Sequence, residues 1–198
     1  MQRASSVDFS DVRNVFLDRD GVLNRKPPEG QYVTSWEEFD LLPGVERAIG
    51  ALNRSGRKVI VVTNQRGVAK GLYSFADLER MHGLLRARLA QHDAHLDAIY
   101  VCPHEEGECS CRKPGIGLFE QAFRDFPDVT PARSLMVGDS IRDIEAGARA
   151  GMRTVLVWGN ADHSSAEVAR AAKLAQLCVG SLAELVTRYL CPNQSAGG

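Results

Sequence analysis

Short apolar runs alternate with longer segments of helical period along this chain. Residues 14–18, 58–62, 98–101, 134–138 and 154–157 read as strands, with a short edge strand at 177–179. Their compact Val/Ile/Leu character is that of strands covered on both faces. Helices are expected over 44–54, 75–92, 117–126, 142–150, 165–173 and 182–189. In the second of these, Leu78, Met81, Leu85 and Leu89 form one apolar stripe at helical spacing, and that stripe is core. Capping-box spacing opens three helices: Ser74 with Asp77, Ser164 with Glu167, and Ser181 with Glu184. Strand–helix alternation predicts an α/β fold, a parallel sheet flanked by helices. No repeat or long linker divides the chain, so one domain is expected over 1–191, followed by a polar, flexible tail at 192–198.

Composition narrows the class. With 198 residues and 44% hydrophobic content, a single full core is expected. A net charge of −1 offers no basic field for tracking nucleic acid. The stretch from Met1 to Asp11 carries no signal-peptide apolar region, and no apolar run approaches the ~18 residues a membrane span needs. The expectation is a soluble, cytoplasmic, monomeric protein without nucleic-acid or membrane partners.

Chemistry gathers where strands end. Asp18 and Asp20 follow the first strand and Thr63-Asn64-Gln65 the second. Arg112-Lys113-Pro114 comes after the third, and Gly138-Asp139-Ser140 closes the fourth. In a parallel sheet these loops share one edge, where ligands of open α/β sheets bind. Each segment alone could be an ordinary polar turn; together they supply what phosphoryl transfer needs. Asp18 would be the nucleophile and Asp20 the general acid and base. A divalent cation would bridge Asp18 and the phosphate, with Asp139 as second ligand, and oxygen-only ligation suits Mg²⁺. Lys113 would neutralise phosphoryl oxygens and Thr63 would donate to one of them. Asp143 reads as a helper that orients neighbours.

There are five cysteines, and Cys102, Cys109 and Cys111 crowd together with His104. Soft donors at this spacing suit tetrahedral Zn²⁺, and four protein ligands leave no open position, so the metal would be structural. The loop at 102–111 directly precedes Arg112 and Lys113, so pinning it also aims those cations. Cys178 reads as a small core residue and Cys191 as part of the tail.

Asp18-x-Asp20-Gly21, Thr63, Lys113 and Gly138-Asp139-x₃-Asp143 resemble the four motifs of the haloacid dehalogenase superfamily. The resemblance covers roughly residues 15–158. It implies a Rossmann-like sheet with helices on both faces, an aspartyl-phosphate on Asp18, and Mg²⁺ held by Asp18, Asp139 and the Asp20 backbone carbonyl, with Asp143 outside direct contact. The intervals between motifs leave no room for a cap domain, so the cleft should be open to a small phosphorylated metabolite. With the zinc loop, the chain is similar to the subgroup of heptose-bisphosphate and histidinol-phosphate phosphatases. Asn24, the run Gly30 to Val33 and the run Thr63 to Gly71 look more like the heptose branch. That branch implies removal of the C7 phosphate of D-glycero-D-manno-heptose 1,7-bisphosphate, a step toward nucleotide-activated heptose. Substrate contacts would then come from Arg19, Asn24, Tyr32, Asn64, Gln65, Arg66 and Arg112. Pro27-Pro28, Arg66 and Ser140 depart from the heptose pattern, and Glu29 with Tyr32 could serve a histidinol phosphate instead. A non-catalytic zinc-stabilised binding module is the alternative of a different class; it would have no use for Asp18, Asp20, Thr63, Lys113 and Asp139 together.

Overall fold

A computed structural model describes residues 7–159 and 165–192. The strands are β1 (Asn14–Leu17), β2 (Lys58–Asn64), β3 (Ala98–Cys102), β4 (Ser134–Gly138), β5 (Arg153–Val157) and β6 (Leu177–Val179). They form one six-stranded sheet in the order β3-β2-β1-β4-β5-β6, with every neighbouring pair parallel. The helices are α1 (Val45–Arg54), α2 (Phe75–Ala90), α3 (Gly117–Asp125), α4 (Ile141–Arg149), α5 (Ala166–Leu174) and α6 (Leu182–Leu185). This is the expected Rossmann-like arrangement, and no second, capping unit is present among the described residues.

Strand alternation divides the core into two faces. Val15, Leu17, Val59, Val61, Leu135 and Val137 pack on one side with α1, α2 and α6. Phe16, Ile60, Val62 and Met136 pack on the other with α3. Each such side chain contributes roughly 1.5–3 kcal/mol by leaving water. The α2 stripe is buried as expected, and the Ser74–Asp77 capping box is formed. From β1 the chain winds outward through β2 and β3, then crosses back to β4 on the other side of β1. The carboxyl ends of β1 and β4 are therefore the switch point of the sheet.

Some expectations shift. β2 runs on to Asn64, so Thr63 and Asn64 are its last residues rather than a loop beyond it. The cap of α5 is Ser165, which accepts from Glu167 N; Ser164 lies outside the described residues. The last helix passes after Leu185 into a wider π turn over Val186–Leu190. Cys191 is not tail: it is buried against the first core face, its thiol near the guanidinium of Arg57. Cys178 is half-buried beside a small cluster containing Ile144 and Leu156. Past Pro192 the expected tail lies outside the described residues. No helix among the described residues is long and apolar enough to cross a membrane.

Candidate active site

Asp18 stands one residue past β1, its N–H still donating to Val137 O at 2.9 Å, so its direction is set by the ladder. Gly21 then turns with φ of 94°, and a Cβ there would lie 2.3 Å from Asp139 Oδ2. Only glycine lets the β1 loop approach the β4 loop this closely. On the β4 side, Ser140 and Asp143 form a capping box that opens α4.

The sheet thus brings Asp18, Asp139 and Asp143 together, with a carboxylate oxygen of each within 4.8 Å of the others. Lys113 Nζ lies among them, 2.8 Å from Asp18 Oδ1, 2.5 Å from Asp143 Oδ1 and 2.8 Å from Val62 O. Its side chain is 1% exposed. Asn64 delivers it there: the Asn64 amide accepts from Lys113 N at 3.0 Å and donates to Lys113 O at 3.1 Å. Burial opposes the charge on Lys113, but Asp143 and Asp18 outweigh it and hold the ammonium well above its usual range.

Electrostatically the cluster is short of positive charge. Burial and the neighbouring Asp143 push Asp18 up to about 7, although Lys113 pulls the other way. Burial likewise lifts Asp139 to about 6, with Lys26 opposing and Asp143 adding. Lys26 Nζ sits 2.7 Å from Asp139 Oδ2 with its side chain 53% exposed. Three crowded carboxylates sharing one buried ammonium make an oxygen-only donor set suited to a hard divalent cation. Both Asp143 oxygens are already engaged, one by Lys113 and one by Ser140.

Asp20 is held differently. Its carboxylate accepts from Arg19 Nε and Nη2, from Asn24 Nδ2 at 2.8 Å and from Gln65 Nε2 at 2.9 Å. Burial acts to raise its pKa, but the Arg19 charge and these hydrogen bonds prevail and keep the carboxyl below the usual range. Arg19 itself is 1% exposed, with its guanidinium over the Phe39 ring and 3.5 Å from His82 Nε2.

A cleft of about 430 Å³ opens above this cluster, lined by Asp18, Asp20, Lys26, Tyr32, Asn64, Gln65, Arg112, Lys113, Asp139 and Arg142 among others. Several residues expected to touch substrate are otherwise engaged. The Arg19 guanidinium and the fully buried Asn24 amide clamp Asp20. Arg66 pairs with Glu105 and does not line the cleft. Thr63 is 1% exposed at the end of β2, and its Oγ1 accepts from Gln65 Nε2 at 2.9 Å, which leaves its own hydroxyl proton free to donate. Tyr32 does line the cleft, its ring beneath Lys70 Nζ, and Arg112 lines it with a buried Nε that has no partner among the described residues. Sequence reasoning missed Lys26, which belongs to none of the motifs but pairs with Asp139. It also missed His82, although a polar residue on the apolar face of α2 was a legible signal.

Cys102, His104, Cys109 and Cys111 converge as expected, each offering a donor within 4.8 Å of the others. Sulfur–sulfur separations are 3.5 Å for Cys102–Cys109 and 3.1 Å for Cys109–Cys111, and His104 Nδ1 lies 3.4 Å from Cys111 Sγ. Tetrahedral zinc thiolates have edges of about 3.8 Å, given Zn–S bonds near 2.3 Å, so a small expansion would admit the ion. None of the cysteines is in a disulfide. The loop reaches the cleft through Arg112, whose Nη1 donates to His104 O.

The strand end bearing Asp18, the buried Lys113 and the Asp139 loop at one switch point define a phosphatase of the haloacid dehalogenase class. A HAD-hydrolase-like family model matches residues 110–185. A D-glycero-alpha-D-manno-heptose-1,7-bisphosphate 7-phosphatase of Mycobacterium bovis is 44% identical over 132 residues, 66% of this chain and 69% of that protein. The beta-anomer counterpart of Haemophilus ducreyi is 37% identical over 180 residues, 87% of this chain and 95% of that protein. The crystal structure of the D,D-heptose 1,7-bisphosphate phosphatase of B. bronchiseptica, complexed with magnesium and phosphate, superposes with a TM-score of 0.76 at 33% identity. That match covers 88% of this chain and 96% of the other. The chain belongs to the family of D-glycero-D-manno-heptose-1,7-bisphosphate 7-phosphatases.

Proposed function

We propose that the chain hydrolyses the C7 phosphate of D-glycero-D-manno-heptose 1,7-bisphosphate, leaving the 1-phosphate, through a covalent phosphoryl ester on Asp18. One observation carries this reading: Lys113 Nζ is buried between Asp18 and Asp143, beside Asp139, beneath an open cleft. The names of the relatives support the sugar bisphosphate as substrate. One capless domain over 1–191 would act as a monomer, on a cytoplasmic metabolite.

Asp18 attacks phosphorus, forming an O–P bond as the bond to the C7 oxygen breaks and Asp20 gives that oxygen a proton. Asp20 then takes a proton from the water that attacks phosphorus and frees Asp18. In the free site Arg19, Asn24 and Gln65 hold Asp20 as the carboxylate, the form that takes the proton from water in the second step. Lys113 and the Thr63 hydroxyl stabilise the phosphoryl oxygens. Asn64 and Gln65 fix Lys113 and Thr63, Arg112 meets the phosphate that remains, and Tyr32 meets the sugar hydroxyls. Mg²⁺ would be held by Asp18, Asp139 and the Asp20 backbone carbonyl, with Asp143 outside direct contact, and would supply neutralising charge to the phosphate. Zn²⁺ would be held by Cys102, His104, Cys109 and Cys111 and would fix the loop that carries Arg112 and Lys113.

Phosphate release from heptose bisphosphate and from histidinol phosphate, measured side by side with Mg²⁺, tests the reading. The expected kcat/KM favours the heptose by about 10²-fold or more, with activity abolished in Asp18→Asn. A preference for histidinol phosphate would overturn the substrate. Equal activity in Asp18→Asn would overturn the mechanism.

A further inference from the structure

Behind the cleft, Tyr73 is 6% exposed and belongs to none of the four motifs. Its hydroxyl donates to Gln65 Oε1 at 2.6 Å. The other end of that amide, Gln65 Nε2, donates to Asp20 Oδ2 at 2.9 Å and to Thr63 Oγ1 at 2.9 Å. The assignment is unambiguous. An ionised carboxylate only accepts, so Nε2 faces Asp20 and Oε1 is left for a donor, which Tyr73 supplies. Were the amide reversed, a carbonyl oxygen would meet the Asp20 carboxylate and the phenol would lose its acceptor. Because Thr63 Oγ1 receives a proton from Gln65, its own hydroxyl proton remains for another acceptor.

The ring is seated by a close approach. A Cβ on Gly67 would lie 2.3 Å from Tyr73 Cε1 and 2.9 Å from its hydroxyl. Burial keeps the phenol protonated, its pKa pushed up to about 12, so it stays a donor across the working range.

We propose that Tyr73 is a positioning residue for this phosphatase: through the Gln65 amide it fixes the Asp20 carboxylate and the direction of the Thr63 hydroxyl at once. The inference rests on the catalytic roles proposed for Asp20 and Thr63. Tyr73 sits behind the cleft, and its effect passes through the Gln65 side chain. Without the phenol, Gln65 Oε1 is buried and unpaired, which favours release or reversal of the amide. The turnover step should then slow while substrate capture is retained.

A double-mutant cycle with thermal unfolding as a fold check tests this. Tyr73→Phe should lower kcat about tenfold with KM within about twofold of wild type. Gln65→Met should lower kcat at least as much, and Tyr73→Phe should cause no further loss on that background. Gly67→Ala displaces the ring but keeps the hydroxyl, and should reproduce the kcat loss if Tyr73→Phe fails to fold. In ¹⁵N-labelled protein, the Gln65 side-chain amide protons should be shifted and protected in wild type and should lose that protection in Tyr73→Phe. An active wild type with unchanged kcat in Tyr73→Phe, or losses that multiply in the double variant, would overturn the inference alone. A wild type that releases no phosphate, or an Asp18→Asn variant as active as wild type, would instead sink the functional reading and this inference with it.

Discussion

Lys113 Nζ contacts Asp18 Oδ1 at 2.8 Å and Asp143 Oδ1 at 2.5 Å, so one buried ammonium is shared by a carboxylate just past β1 and one in the first turn of α4. Removing it leaves Asp18 and Asp143 without their shared countercharge. Lys113→Met should therefore cost stability as well as activity, on the order of 3–5 kcal/mol for a broken buried pair. Chemical denaturation alongside phosphate release checks both. A variant with wild-type stability would mean the carboxylates find other partners.

Arg19 and Asp20 are adjacent in sequence, and the guanidinium grips its neighbour with Nε and Nη2. A lysine cannot reproduce that planar fork. Arg19→Lys should lower kcat by about 10–100-fold with little change in KM, because its guanidinium grips Asp20. Steady-state kinetics decides the matter. A rise in KM alone would return Arg19 to the substrate contacts.

His82 gives the pH dependence. Burial, reinforced by the Arg19 charge, depresses it to about 4. The unfolded chain, with an ordinary imidazole near 6.5, binds more protons than the folded one between these values. Its contribution is therefore fully present above about pH 6.5 and is lost as pH falls toward 4, by up to roughly 3 kcal/mol. His82→Gln should flatten this part of the stability profile, measured by denaturant unfolding from pH 7 to 4. Parallel profiles for the two proteins would count against a neutral buried His82.

The cysteine cluster should carry about one zinc per chain, measurable by elemental analysis. Cys109→Ala should abolish that content and lower the melting temperature. It should also raise KM, through the loop bearing Arg112 and Lys113, while leaving Asp18 intact. A zinc-free variant with unchanged activity would detach the loop from catalysis.

Lys26 competes for Asp139, at 2.7 Å from Oδ2. A divalent cation on that carboxylate meets a like charge and must displace it. Lys26→Met should tighten Mg²⁺ binding about three- to tenfold, read by calorimetry without substrate. Weaker binding would show that Lys26 supports the metal position instead of opposing it.

Which parts of this molecule were legible in the chain follows from the range of the forces involved. Apolar runs at Val15–Leu17 or Val59–Val62 specify buried parallel strands, because backbone pairing and burial act on neighbours in sequence. The carboxylates, Lys113 and the Cys/His cluster were legible for the same reason: each sits at a fixed offset from a strand end or from another ligand. Partners across the fold left no local trace. The heptose resemblance offered Asn24 and Arg19 as substrate contacts; their hydrogen bonds to Asp20 appear only in the folded packing. Cys191 looked like tail, but the fold buries it beside the guanidinium of Arg57. Tyr73, His82 and Lys26 acquired their roles the same way, since a hydrogen bond or ion pair between residues far apart in sequence exists only once the sheet has brought them together.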